Sequence, residues 1–164
     1  MKKVLTLFSI SILLFFLDNT VMPFLSIRGY HPSLLFVFVI SYSIISGSWE
    51  GIWLGVFCGI LQDLYFFNGF GINSLTNMLM ALVAGQVGNS IFREKIVIPV
   101  FACLGLSILK GFLVVTILYF LKQSAPIDYV LFGSLYSAIG AIFIYRWIFK
   151  LCKKTYMQKQ WNFK

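Results

Sequence analysis

Six long apolar stretches separated by short polar breaks make up almost the whole chain. The first covers about residues 4–25 and is interrupted late by Asp18 and Pro23. The turn Arg28-Gly29-Tyr30-His31-Pro32 follows, and Pro32 suits the first position of a second helix reaching about Ser46. Gly47-Ser48-Trp49-Glu50 reads as a tight connection. A third helix over about residues 51–67 leads into the turn Asn68-Gly69-Phe70-Gly71. A fourth over about residues 72–92 ends at Arg93-Glu94-Lys95, and a fifth covers about residues 96–121. The loop 122–126 precedes a sixth helix over about residues 128–149, and a basic segment closes the chain. Runs such as 34–40 and 114–121 do not alternate polar with apolar, as a membrane β-barrel requires. The pattern therefore predicts an all-α bundle of about six helices, residues 1–149, followed by a basic tail, residues 150–164. Connections this short make successive helices antiparallel neighbours.

Composition places that bundle in lipid. Of 164 residues, 60% are hydrophobic and 11% charged. Mean hydropathy is +0.91. A soluble domain carries roughly 25% charged residues, and a globule this small cannot hide so much apolar surface. A span needs roughly 20 residues, which the stretches supply, with the second and third the shortest. Inside a bilayer the backbone must satisfy itself, and helices do so. Lys2-Lys3 ahead of an apolar run imitates a secretory leader, but cleavage needs small residues and the first alanine is Ala81. The segment reads as a retained first helix.

The net charge of +8 changes the picture only through its distribution. A uniform basic surface would suggest nucleic acid. Here the cations gather at the chain ends and in one loop, which is a topology signal, so no nucleic-acid partner is expected. Six spans with the N-terminus inside place Lys2, Lys3, Arg93, Lys95, Lys150, Lys153, Lys154, Lys159 and Lys164 in the cytoplasm, and leave only Arg28 and Lys122 outside. Both termini are thus expected in the cytoplasm.

Candidate chemistry is sparse. Cys58, Cys103 and Cys152 are scattered, and His31 is the only histidine, so no metal-ligand spacing exists. No nucleophile-base constellation or phosphate loop is present, and neither catalysis nor a cofactor is expected. What stands out is a ladder of Gly47, Gly51, Gly55 and Gly59, four residues apart on one helical stripe. Small residues let helices approach closely in lipid, and the stripe suits internal packing or a docking face for a partner subunit. One step further on the same stripe lies Asp63. Asp18, Asp63 and Lys110 fall at one depth, roughly 20 Å along three parallel helices. A charge in a membrane is costly and wants a partner. The expectation is that Lys110 pairs with Asp63, Asp18 or both, against the alternatives of a helix-end aspartate and a snorkelling lysine. Asn73 and Asn77, one turn apart, are placed to hydrogen-bond near Asp63 or to satisfy a helix end. Lys150, Lys153, Lys154 and Lys159 among Tyr156, Trp161 and Phe163 suit an anionic leaflet or simple topology anchoring.

These residues resemble the MreD family of bacterial rod shape-determining membrane proteins. The resemblance rests on the segment 55–64 with Gly59-x-x-x-Asp63, on Gly71 after the following loop, and on Met22-Pro23-Phe24 ahead of His31-Pro32-Ser33-Leu34-Leu35. Ser33 departs from the acidic or amide residue usual after the second proline. The resemblance implies a non-catalytic scaffold in the bacterial cytoplasmic membrane. Its implied partners are MreC and an elongation complex with MreB, RodA and a class B penicillin-binding protein. It also implies a fold similar to the substrate-binding subunits of energy-coupling-factor vitamin transporters. Such a subunit is the rival reading, against which stands a first helix without alanine, where those proteins carry Ala-x-x-x-Ala.

Overall fold

A computed structural model describes residues 2–26, 33–65, 70–90, 97–120, 128–153 and 157. Among these it contains α1 (Lys2–Thr20), a 3₁₀ turn (Met22–Leu25), α2 (Leu34–Ser46), α3 (Ser48–Tyr65), α4 (Ile72–Ser90), α5 (Val97–Phe120) and α6 (Asp128–Cys152). The all-α expectation holds among the described residues. We call the end where α1 begins and α6 finishes proximal, and the other end distal.

Several boundaries differ from the hydropathy pattern, each for a local reason. The first apolar stretch is two pieces, because Pro23 has no N–H to continue the ladder and its ring clashes with the preceding turn. Phe24 N–H instead donates to Val21 and Ser26 N–H to Pro23. α2 begins at Leu34 with Ser33 as its N-cap, its hydroxyl accepting from Phe36 N–H at 3.3 Å. Pro32 lies outside the described residues, as do the turns around Arg28, Arg93 and Lys122 and the first two residues of the turn at Asn68. The connection between α2 and α3 is a single residue, Gly47, at φ +100°. That left-handed conformation is cheap only for glycine. Ser48, Trp49 and Glu50 therefore form the first turn of α3 rather than a loop. α6 runs on to Cys152, so Lys150 is helical rather than the start of a tail.

α2 touches all five other helices. It is the central helix of the bundle. Every residue from Leu35 to Ile44 is buried. One side, with Leu35, Phe38, Val39 and Tyr42, packs with Leu7, Leu14, Leu54, Cys58 and Ile148. The other, with Phe36, Val37, Ile40 and Ile44, packs with Met80, Ala84, Cys103, Leu106 and Tyr145. In lipid such packing is stabilised by dispersion rather than by exclusion of water. α1 and α5 lie outside, with Leu5, Phe8, Leu13 and Phe16 of α1 and Phe101, Leu109 and Phe112 of α5 exposed. Among the described residues these are the two helices long and apolar enough to cross a membrane by length and hydropathy, over Lys2–Phe24 and Ile98–Phe120.

The glycine stripe faces inward. A Cβ on Gly51 would strike the Ser43 side chain of α2. On Gly55 it would lie 2.9 Å from the Asn77 carbonyl of α4, and on Gly59 it would strike the backbone of Ser74. α4 returns the favour with Gly85 against Ser48 and Gly88 against Ile44, two glycines the ladder did not include. Gly47 stands apart from the stripe, serving the turn with nothing within 4 Å of its Cβ position. Of the two expectations for the stripe, the buried residues Gly51, Gly55 and Gly59 serve internal packing. A partner helix has no access to them.

Candidate functional site

The polar residues of α3 and α4 form a clasp at the distal end. Asp63 sits in the last turn of α3, 3% exposed. Its Oδ2 accepts from Gly71 N–H at 3.0 Å and Ser74 N–H at 2.9 Å, and its Oδ1 from Asn73 N–H at 3.0 Å. These are the free N–H groups of the start of α4, which have no partner within their own helix. Charge-assisted bonds of this length are the strong kind, and the helix dipole adds to them. The three sequence features act together. Gly59 lets α4 lie against α3 at Ser74, Gly71 takes φ +98° so that the chain turns into the carboxylate, and Asp63 gathers the converging N–H groups.

Asp18 repeats the device one hairpin earlier. From the last turn of α1 it accepts Leu34 N–H at 2.8 Å and Leu35 N–H at 2.9 Å, at the start of α2. Both aspartates, the buried Asp63 and the half-buried Asp18, are therefore caps for the helix that follows.

Lys110 makes no direct ion pair with either carboxylate. Its amine lies 3.5 Å from Gln62 Oε1 and 4.6 Å from the centre of the Phe36 ring. Both carboxylates are directed instead at backbone N–H groups. Gln62, which the sequence reading passed over, is the hub instead. Its Nε2 donates to Ser33 Oγ at 2.9 Å, and its Oε1 accepts from Asn77 Nδ2 at 2.9 Å. Asn73 contributes its backbone, and Asn77 its side chain. The only signal for Gln62 was its place one residue before Asp63 in an otherwise apolar helix.

A second polar cluster lies at the proximal end and was not foreseen. Lys3 Nζ donates to Glu50 Oε1 at 2.7 Å, and Tyr42 Oη donates to Glu50 Oε2 at 2.6 Å. Both charged side chains are only 8% exposed. Glu50 in the first turn of α3 suits the positive end of that helix. Lys3 had been counted among the topology cations, although Glu50 neutralises it. Met157 is buried beside this end, 3% exposed, in the core that holds Tyr42 and Ile148. Met157, beyond the end of α6, thus packs on the bundle. Lys150 and Lys153 are exposed, with the Lys153 amine 4.6 Å over the Phe149 ring, while Lys154 and Lys159 lie outside the described residues. Cys58 and Cys103 are buried and free, and Cys152 is half-buried.

The family model for the rod shape-determining protein MreD matches residues 1–155. The chain belongs to the MreD family. It is thus a rod shape-determining membrane protein, and its apolar helices suit the cell membrane. No curated protein and no solved structure matches it. The Gly59, Asp63 and Gly71 pattern that carried the resemblance to MreD is, in this chain, the α3–α4 clasp.

Proposed function

We propose that this MreD-family chain is a non-catalytic scaffold of the cell-elongation machinery. It binds MreC and works with MreB, RodA and a class B penicillin-binding protein to direct lateral peptidoglycan synthesis. The observation that carries this reading is the family match over residues 1–155. The polar site supports it, because its carboxylates are spent on helix N-termini rather than left free for proton transfer or ligand capture. All six helices cross the membrane, with the proximal end and both termini in the cytoplasm. Exposed Lys150 and Lys153 lie at that end and face the anionic leaflet. The inward-facing glycines move the docking surface elsewhere: a partner helix in lipid has the exposed sides of α1 and α5 to pack on.

Affinity purification of the tagged protein from native membranes tests the scaffold reading. MreC and elongation proteins should co-purify. Recovery of a vitamin-transporter ATPase pair in their place would support the rival substrate-binding subunit and overturn this one.

A further inference from the structure

The outer face of α6 changes character along its length. Its middle is apolar, with Ile139 54%, Ile142 44% and Phe143 75% exposed. From Arg146 onward it is cationic, with Arg146, Lys150 and Lys153 all exposed. The helical register reaches Lys153, whose N–H donates to the Phe149 carbonyl at 3.2 Å. At about 100° per residue, the three apolar and three cationic side chains share one arc of roughly 100°. Trp147, 47% exposed, stands beside Arg146, and indole rings favour the headgroup level of a bilayer. On the inner side of the same turns, Tyr145 shares a core with Ile44, and Ile148 shares one with Tyr42. The switch from apolar to cationic therefore lies at the proximal end of the bundle.

The charge on this face is not spent within the bundle as that of Lys3 is, which Glu50 neutralises at the same end. Asp18 and Asp63 are turned to helix starts at the distal end. The Lys153 amine lies over the Phe149 ring, so Arg146 and Lys150 lead the site. Residues four apart on a helix have Cβ atoms about 6 Å apart, so both head groups reach one phosphate. A guanidinium offers that phosphate a planar fork of two N–H donors, and a lysine adds a mobile point charge. An acidic protein segment matches the cations but leaves the apolar half of the face uncovered. A phospholipid matches both halves. We propose that the outer face of α6 binds one anionic phospholipid, its phosphate between Arg146 and Lys150 and its acyl chains along Phe143, Ile142 and Ile139. This deepens, and rests on, the reading of α6 as a membrane-crossing helix with its proximal end in the cytoplasm, which places the lipid in the cytoplasmic leaflet.

The test is native mass spectrometry of the full chain in detergent with equimolar phosphatidylglycerol and phosphatidylcholine of identical chains. Phosphatidylglycerol should be retained several-fold over phosphatidylcholine. Arg146→Gln and Lys150→Gln should each lower its retention about fivefold, the effect of one cation near an anionic surface. Lys2→Gln removes the same charge from an exposed position at the start of α1 and should leave retention unchanged. Excess glycerol phosphate, which carries the phosphate without the chains, should leave the lipid bound. Equal retention of the two lipids would overturn the proposal, and so would equal losses in Lys2→Gln and Arg146→Gln, which mean diffuse attraction. Displacement by glycerol phosphate would overturn the lipid assignment in favour of a free phosphate. Detergent contains neither leaflets nor MreC, so this result stands or falls separately from the orientation and the scaffold role.

Discussion

Replacing Asp63 by alanine removes the acceptor for three N–H groups at once, those of Gly71, Asn73 and Ser74. The carboxylate is 3% exposed, so water does not simply take its place. Hydrogen bonds to a charged group contribute about 1.5–3 kcal/mol each, while deleting a helix N-cap costs about 0.5–2 kcal/mol in total. The first turn of α4 can fray distally and recover some hydration, so the three terms do not add. The expected loss is about 2–4 kcal/mol. For a chain of this length each 1 kcal/mol lowers Tm by about 2–4 °C, which gives a fall of roughly 5–15 °C. The assay is thermal unfolding in detergent, followed with a thiol-reactive fluorogenic dye. Cys58 reports one core and Cys103 the other, and both are free and buried. Asp63→Asn keeps one acceptor oxygen and sets an NH₂ against an N–H donor, so it should melt between the parent and Asp63→Ala. In cells, Asp63→Ala should fail to restore rod shape. Melting of Asp63→Ala together with the parent protein would refute the capping role.

At the proximal end, Lys3→Met strands the buried Glu50 charge and should cost about 3–5 kcal/mol, whereas the double variant Lys3→Met/Glu50→Gln should recover much of it in the same thermal assay. Tyr42→Phe removes one bond to that carboxylate and should cost about 1.5–3 kcal/mol, with equal melting of variant and parent as the contrary result. Gly59→Ala drives a methyl group into the α4 backbone and should destabilise by about 1–3 kcal/mol, while Gly105→Ala on α5 meets nothing within 4 Å and should gain up to about 1 kcal/mol. The ordering of those two variants by melting temperature checks the direction in which the stripe faces. A photo-crosslinking residue at Phe16, on the exposed side of α1, should capture MreC in native membranes, and one at Gly55 should not. The reverse yield would return the docking face to the glycine stripe.

Helix content was legible along the chain because it follows from local quantities. An apolar run of helical length without alternation fixes the element, whereas the burial of α2 on every side is set by its neighbours, since the comparably apolar α5 lies outside. Gly47 and Gly71 likewise mark turns through a backbone conformation that a side chain disfavours. The Gly59, Asp63 and Gly71 spacing was enough to suggest the family. What the tertiary structure decided was who meets whom. Counting residues set Asp18, Asp63 and Lys110 at one depth, but depth says nothing about lateral neighbours. Opposite charges suggested an ion pair. The acceptors were instead taken by the N–H groups of Leu34, Leu35, Gly71, Asn73 and Ser74. Nearly every residue carries such a donor, so sequence cannot flag the few that a helix start leaves free. Glu50 was missed for the same reason. Its partners Lys3 and Tyr42 come from two other helices, and only their packing turns three scattered polar residues into one buried cluster. The direction of the glycine stripe was decided likewise, by a groove that exists only once α2 and α4 lie against α3.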